Sequence, residues 1–259
     1  MPDVLEVNLV LTEQEWPKLL CAGDSCIVVE FGNSISLDVN ARVQALRHVL
    51  EAKNISGIQE LVPTYRSLAV YFDPVKAEPS RFRSLLERLA SATDVGLSSE
   101  KGKVIVIPVC YGGEFGPDLQ NVVKHTGLTE EEVIERHSAP DYYCYMLGFT
   151  PGFSYLGGMD ETIATPRLSE PRERIPAGSV GIAGKQTGIY PIDSPGGWQL
   201  IGRTPLPMFD ANRESPTLVD AGFWIRFHPI SPEEYHSIEE KIFHGGYTLE
   251  IHEKGEMPA

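Results

Sequence analysis

Four arginines and one histidine are the residues in this sequence best suited to chemistry. Pro166-Arg167 and Pro171-Arg172 repeat a Pro-Arg pair five residues apart, Arg174 follows, and Arg203 stands beyond Trp198. Proline holds its own backbone and that of the residue before it extended, so these guanidinium groups ride on a stiff support. A guanidinium fork suits a carboxylate or a phosphate, and one charge-assisted bond contributes about 1.5–3 kcal/mol. Glu170, Glu173 and Asp193 are close enough to claim the same arginines as structural ion pairs, and both readings stay open. His137 lies at the end of a helical pattern, just before Pro140-Asp141. Its residue type suits proton transfer near neutral pH, and its position equally suits a helix cap. His137 and Arg172 are the catalytic candidates.

Other motifs fail on spacing. Gly184-Lys185-Gln186-Thr187 resembles the end of a phosphate-binding loop, but Ser179 replaces its first glycine. Gln186 also stands where a Ser or Thr must hold magnesium. Gly152-Phe153-Ser154 misses the nucleophile elbow because the closing glycine comes one residue late, which leaves Ser154 as a turn or strand hydroxyl. Gly196-Gly197 is either an anion-binding nest of backbone amides or a hairpin turn. Glu114 and Asp118 are nearby carboxylates, and Asp118 is expected to cap a helix. His228, His236, His244 and His252 are scattered, and Cys21 and Cys26 have no second close pair. No metal site is predicted.

These groups need a support, and residues 148–205 supply it. That window holds 11 of the 24 glycines and 7 of the 20 prolines, which excludes helix. Phe149, Phe153, Tyr155, Leu156, Val180, Ile182, Tyr190, Trp198 and Leu200 stand among them and demand burial. Short apolar strands joined by tight turns satisfy both facts, and predict the wall and rim of a β-barrel pocket. The formal charge of −14 over 259 residues argues against non-specific nucleic-acid binding, and neither part of the chain hides a basic tail. The opening MPDVLEVNLV lacks a basic segment before an apolar one, and no apolar run approaches a membrane span. The four cysteines read as buried free thiols of a cytoplasmic protein.

The length predicts two domains, residues 1–98 and 99–259, with a linker from Gly96 to Gly102. In the first, strands are expected at 25–31, 58–62 and 65–72. Helices are expected from Asp38 as cap to Ala52 and from Pro79 to Ala92, which together form an α+β unit with an antiparallel sheet. In the second, a strand runs from Lys103 to Pro108 and a short helix from Pro117-Asp118 to near Gly127. Thr129 to Glu132 is a capping box that opens a helix to about His137. Strands follow at 141–147, 223–227 and 247–251, with a helix from Ser231 as cap to about Phe243.

Taken together, Gly148-Phe149-x-Pro151-Gly152-Phe153-x-Tyr155-Leu156-Gly157-Gly158, Pro166-Arg167, Pro171-Arg172 and Pro176-Ala177-Gly178-Ser179-Val180 form one recognisable pattern. Gln186-Thr187-Gly188-Ile189-Tyr190-Pro191, Ser194-Pro195-Gly196-Gly197-Trp198 and Gly202-Arg203-Thr204 complete it. Gly112-Gly113-x-x-Gly116-Pro117-Asp118-Leu119 and Thr64-Tyr65-Arg66-Ser67 agree with it. The pattern resembles the KipI family, whose members are also called 5-oxoprolinase B subunits or allophanate hydrolase subunit 1. The resemblance implies an α+β N-terminal ferredoxin-like domain followed by a mainly-β cyclophilin-like barrel. It also implies a component that works with a KipA-like C subunit and a LamB/YcsF-type A subunit, opening 5-oxoproline to glutamate with ATP bound by the complex. The alternatives are a KipI-type inhibitor of a sporulation histidine kinase and a component of an allophanate hydrolase. Lys185 departs from the family, which usually has a small residue there. The expected substrate or partner pocket comprises Phe149, Pro151, Phe153, Tyr155, Arg167, Gln186, Tyr190, Ser194, Gly196, Gly197, Trp198 and Arg203. Tyr155, Arg172 and Trp198 should then share one cavity.

Overall fold

The computed structural model describes residues 16–93 and 102–254. They fall into two compact units, residues 16–62 with 66–93, and 102–254 with 63–65. The expected linker lies outside the described residues except for Gly102.

In the first unit, β1 (Lys18–Cys21), β2 (Cys26–Glu30), β3 (Ile58–Pro63) and β4 (Ser67–Phe72) form one sheet in the order β1-β2-β4-β3. β2 runs antiparallel to both of its neighbours. Two helices, α1 (Leu37–Lys53) and α2 (Pro79–Ala92), complete the unit. Val43, Leu46 and Leu50 from α1 share a core with Phe82, Leu86 and Ala90 from α2 and with Val29, Leu68 and Val70 of the sheet. The cap of α1 is Ser36, not Asp38: Ser36 holds extended backbone (φ −148°) and its side chain accepts from the Val39 amide. Asp38 sits inside the first turn, where its charge meets the positive end of the helix dipole. β1 has no counterpart in the expected strand–helix–strand–strand–helix order. A ferredoxin-like chain ends on a strand after its second helix, whereas the strand flanking β2 here precedes it. Cys26, Cys110 and Cys144 are buried, but Cys21 is exposed, beside Arg83.

The second unit is built on β5 (Lys103–Tyr111), β6 (Asp141–Leu147), β7 (Ser154–Gly157), β9 (Ser179–Ala183), β10 (Gln186–Ile189), β12 (Gln199–Arg203) and β13 (Trp224–Ile230). They lie in the order β10-β9-β12-β5-β13-β6-β7, and β10 comes back against β7, so the sheet is a nearly closed barrel. A further strand, β14 (Ile251–Glu253), starts where the expected one ends. It pairs with Lys103 to Ile105 of β5, whereas β12 pairs with Cys110 and Tyr111. Pro108 falls in the gap between these two partners, where no ladder needs its missing N–H. β5 therefore continues three residues past the expected stop.

Helices α3 (Leu119–Thr126), α4 (Glu130–Ser138) and α5 (Pro232–Phe243) join the strands, and the boxes at Thr129–Glu132 and Ser231–Glu234 both close. Residues from around the barrel, including Ile105, Ile107, Tyr142, Leu156, Ile182, Ile201, Ile225 and Phe227, share one core with Leu119, Val122 and Val133 of the helices. The barrel interior is thus packed solid. Alternation along a strand sends neighbours to opposite faces. Val180, Ile182, Ile189 and Ile201 point inward, while Ala183, Tyr190, Trp198 and Leu200 form a separate cluster with Phe153. Ile175 belongs to that second cluster and comes from a two-stranded ribbon, β8 (Arg172–Ile175) paired with β11 (Ser194–Gly196). The ribbon therefore lies on the outer face of the wall. The rings expected to line a β-barrel pocket thus face away from the barrel's apolar core.

Candidate functional site

Between the wall and the ribbon is a cavity of about 200 Å³. Phe153, just before β7, Tyr155 of β7, Gln186 of β10, Tyr190, Trp198, Phe149 and Arg167 line it, with Pro195, Gly196 and Gly197 along one side. Phe153 is the hub. Its ring meets those of Phe149, Tyr155, Tyr190 and Trp198 near-perpendicularly, at centroid distances of 5.7, 5.4, 5.9 and 5.7 Å. Edge-to-face pairs of this kind contribute about 0.5–1.5 kcal/mol each beyond their burial.

Phe149 is the exception to this burial, with 68% of its surface exposed. It also holds φ +65°, a left-handed conformation uncommon outside glycine and a strain of order 1–3 kcal/mol. The cause is local: the Thr150 amide donates to the Gly148 carbonyl at 2.8 Å, closing a γ-turn with Phe149 at its centre. Gly148 and Phe153 close the surrounding loop through a second backbone bond.

The opposite side depends on Gly196. A Cβ there would overlap the Tyr190 hydroxyl and stand 2.9 Å from Ile175 Cδ1, so only glycine lets the ribbon approach. Neither Gly196 nor Gly197 has positive φ, and Gly196 is a strand residue. The nest reading, which needs a left-handed residue, is therefore excluded. The Gly197 carbonyl accepts from the Leu168 amide, and Gln199 donates to the Pro166 carbonyl, so the segment bearing Arg167 is held at both ends. Arg167 is exposed and enters no ion pair among the described residues.

Asp118 corrects the expectation of a helix cap. Its carboxylate makes no capping bond to α3. It accepts instead from the Leu200 amide at 2.8 Å and from Arg172 Nη2 at 2.7 Å, while the Asp118 amide donates to the Leu200 carbonyl. Only 4% of Asp118 is exposed, so one carboxylate braces α3, the wall and the ribbon together. Arg172 thus pairs with neither Glu170 nor Glu173. It stands behind the cavity lining, and its Nη1 is buried without a hydrogen-bond partner among the described residues. Arg174 pairs with Asp193 on the surface. Arg203, Pro151 and Ser194 also stay out of the lining. Arg203 keeps a buried, unbonded Nε, Pro151 is exposed, and the Ser194 hydroxyl donates to the Ile192 carbonyl. Lys185 is at the exposed β9–β10 hairpin, bonded to Glu161.

His137 sits apart from the cavity, in the core. Its Nδ1 is 2.8 Å from Tyr111 Oη and its Nε2 2.8 Å from Thr187 Oγ1. The Thr187 hydroxyl gives its one proton to the Gly181 carbonyl, so it accepts from a His137 Nε2–H. Nδ1 is then bare and accepts from Tyr111. This network specifies one neutral tautomer, and burial pushes the pKa down to about 3. Phe227 stacks on the ring at 4.6 Å.

Tyr190 is raised in pKa by burial, opposed by the charge of Arg167, a backbone hydrogen bond from Trp198 and the charge of Arg172. Tyr65 stands behind Tyr155, ring to ring at 6.0 Å, and its phenol bonds Gln186. Pro195, Tyr65 and Asp118 belong to the family-like motifs but were absent from the expected pocket. A short-range pattern names such residues without showing which way they face. Among the described residues no cluster of His, Cys, Asp or Glu is arranged to hold a metal, and no helix is long and apolar enough to cross a membrane.

Comparison with known proteins agrees with this architecture. Residues 17–219 match the family model described as "Carboxyltransferase domain, subdomain C and D". The chain is 46% identical over 231 residues to the 5-oxoprolinase B subunit of Bacillus subtilis (strain 168), covering 85% of this chain and 95% of that protein. It is 40% identical over 208 residues to the 5-oxoprolinase B subunit of Escherichia coli O157:H7, covering 80% and 93%. The solved structure of TTHA0988 superposes with a TM-score of 0.71 at 36% identity, over 80% of this chain and 40% of that one. The chain therefore belongs to the carboxyltransferase subdomain C and D family, within its group of 5-oxoprolinase B subunits (KipI, or allophanate hydrolase subunit 1).

Proposed function

We propose that this chain is the B subunit of an ATP-dependent 5-oxoprolinase, and that its outer-face cavity contributes part of a composite site that opens 5-oxoproline to glutamate. The observation that carries the reading is the likeness, at 40–46% identity across most of both chains, to proteins named as B subunits of 5-oxoprolinase. The cavity supports it chemically. A volume of about 200 Å³ is below the range of about 300–1,000 Å³ for drug-sized ligands and suits a small metabolite. Aromatic walls take a ring, and the unpaired Arg167 takes an anionic group.

The same size argues against ATP in this cavity, so we assign the nucleotide to a partner subunit. A KipA-like C subunit and a LamB/YcsF-type A subunit are the proposed partners, in the cytoplasm. The exposed, strained Phe149 and the open rim beside it suit completion by another polypeptide. For the fold, we read the second unit as a cyclophilin-like barrel. The first becomes a ferredoxin-like sheet whose last strand is replaced in space by β1. Arg172 acts on the cavity indirectly, through Asp118 and its charge on Tyr190. His137 pins β5, α4 and β10, and takes no part in proton transfer.

The test is purification of the chain with its native partners, followed by glutamate release from 5-oxoproline with and without ATP. ATP-dependent glutamate supports the reading. Consumption of allophanate instead, or binding and slowing of a histidine kinase without partners, would replace it.

A further inference from the structure

The hydroxyl of Tyr190 is fixed on one side and uncommitted on the other. Its backbone is held twice, the amide donating to the Ser179 carbonyl at 2.8 Å and the carbonyl accepting from the Gly178 amide at 2.7 Å. Phe153 and Trp198 hold the ring edge-on at 5.9 and 6.1 Å. The oxygen lies against Gly196, where any side chain would collide with it, and it accepts from the Trp198 backbone amide. Among the described residues no acceptor takes the hydroxyl proton, although Tyr190 is 2% exposed and lines the cavity. The hydroxyl belongs to the cavity lining, so an occupant that presents a lone pair there can take its proton in a hydrogen bond.

We propose that Tyr190 donates a hydrogen bond to a carbonyl or carboxylate oxygen of the cavity's occupant and steadies that oxygen as negative charge grows on it. The inference rests on the proposed lactam-opening reading and adds a named donor to it. The phenol keeps its proton throughout, so no bond to Tyr190 forms or breaks. Arg167 and Arg172 place positive charge near the Tyr190 hydroxyl, which favours negative charge growing at the same spot.

The experiment uses the complex reconstituted with its partner subunits and 5-oxoproline as the probe. Losing one such donor costs about 10²–10³ in kcat where the oxygen is the reacting one, so Tyr190→Phe is expected to lower kcat about a hundredfold, with KM within about threefold. Fluorinated tyrosines placed at position 190 should move kcat in step with phenol acidity, which a packing role would not do. A Tyr190→Phe complex within about twofold of wild type overturns the proposal. So does a flat response to the fluorotyrosines, which decide the matter if Tyr190→Phe fails to assemble. Should the wild-type complex release no glutamate, the functional reading itself falls and takes this inference with it.

Discussion

Mild acid should loosen the barrel through His137, and the size of the effect follows from its burial. In the fold the imidazole stays neutral down to about pH 3, because both nitrogens are bonded and no solvent reaches it. In the unfolded chain a histidine takes its proton near pH 6.5. A group whose folded pKa is lowered in this way favours the unfolded state as pH falls below the unfolded value. The loss approaches about 1.4 kcal/mol per pH unit, so about 2–3 kcal/mol goes between about pH 6.5 and 4.5. For a domain of roughly this size each kcal/mol shifts Tm by about 2–4 °C, which gives about 4–12 °C. Asp141 and Asp193 also have lowered values. Their contribution is lost as pH falls through the carboxylate range, mostly below this window. Thermal unfolding followed by circular dichroism at several pH values, on wild type and His137→Gln, isolates the one residue. Glutamine keeps a donor and an acceptor but does not titrate. Wild type should lose stability more steeply than the variant over that interval, and curves that fall in parallel would refute the assignment of a neutral, sealed imidazole.

Two further substitutions probe the support of the cavity. Asp118→Ala leaves the Leu200 amide without an acceptor, at about 1–3 kcal/mol, and breaks a pair with Arg172 that solvent partly screens, worth about 1 kcal/mol more. Urea unfolding should show a loss of about 2–4 kcal/mol, and much less for Asp118→Asn, which retains an acceptor oxygen. Gly196→Ala drives a methyl into the Tyr190 hydroxyl, at a cost of about 1–3 kcal/mol. The variant should fold, yet lose at least about tenfold in ATP-dependent glutamate release, because Tyr190 must leave its place.

Local signals were legible wherever chemistry and spacing coincided. Pro79 to Ala92, the boxes at Thr129 and Ser231, and Asp141 to Leu147 needed no distant partner to be read correctly. Ser36 and Asp38 are both capping residues, and only the backbone angle chooses between them. Pro108 ended a strand on paper, since nothing in the sequence tells that two different partners meet β5 on either side of it. Phe149, Phe153, Tyr155, Arg167, Gln186, Tyr190, Gly196, Gly197 and Trp198 line one cavity. Which face of the wall they occupy was illegible, because both faces are apolar and alternation alone does not say which is inside. Asp118 is illegible for a related reason: its partners, Leu200 and Arg172, are far along the chain, while the helix it begins is next door.

Strand β10 is a single thread with two tenants. Gln186 and Tyr190, the residue just past its end, front the cavity, while Thr187 and Ile189 belong to the sealed interior. One residue inserted into the tight Gly184-Lys185 hairpin would exchange the two sets, sending Thr187 and Ile189 into solvent and Tyr190 into the hydrocarbon. Evolutionary length changes in that hairpin should therefore come in pairs of residues, with odd-numbered insertions purged.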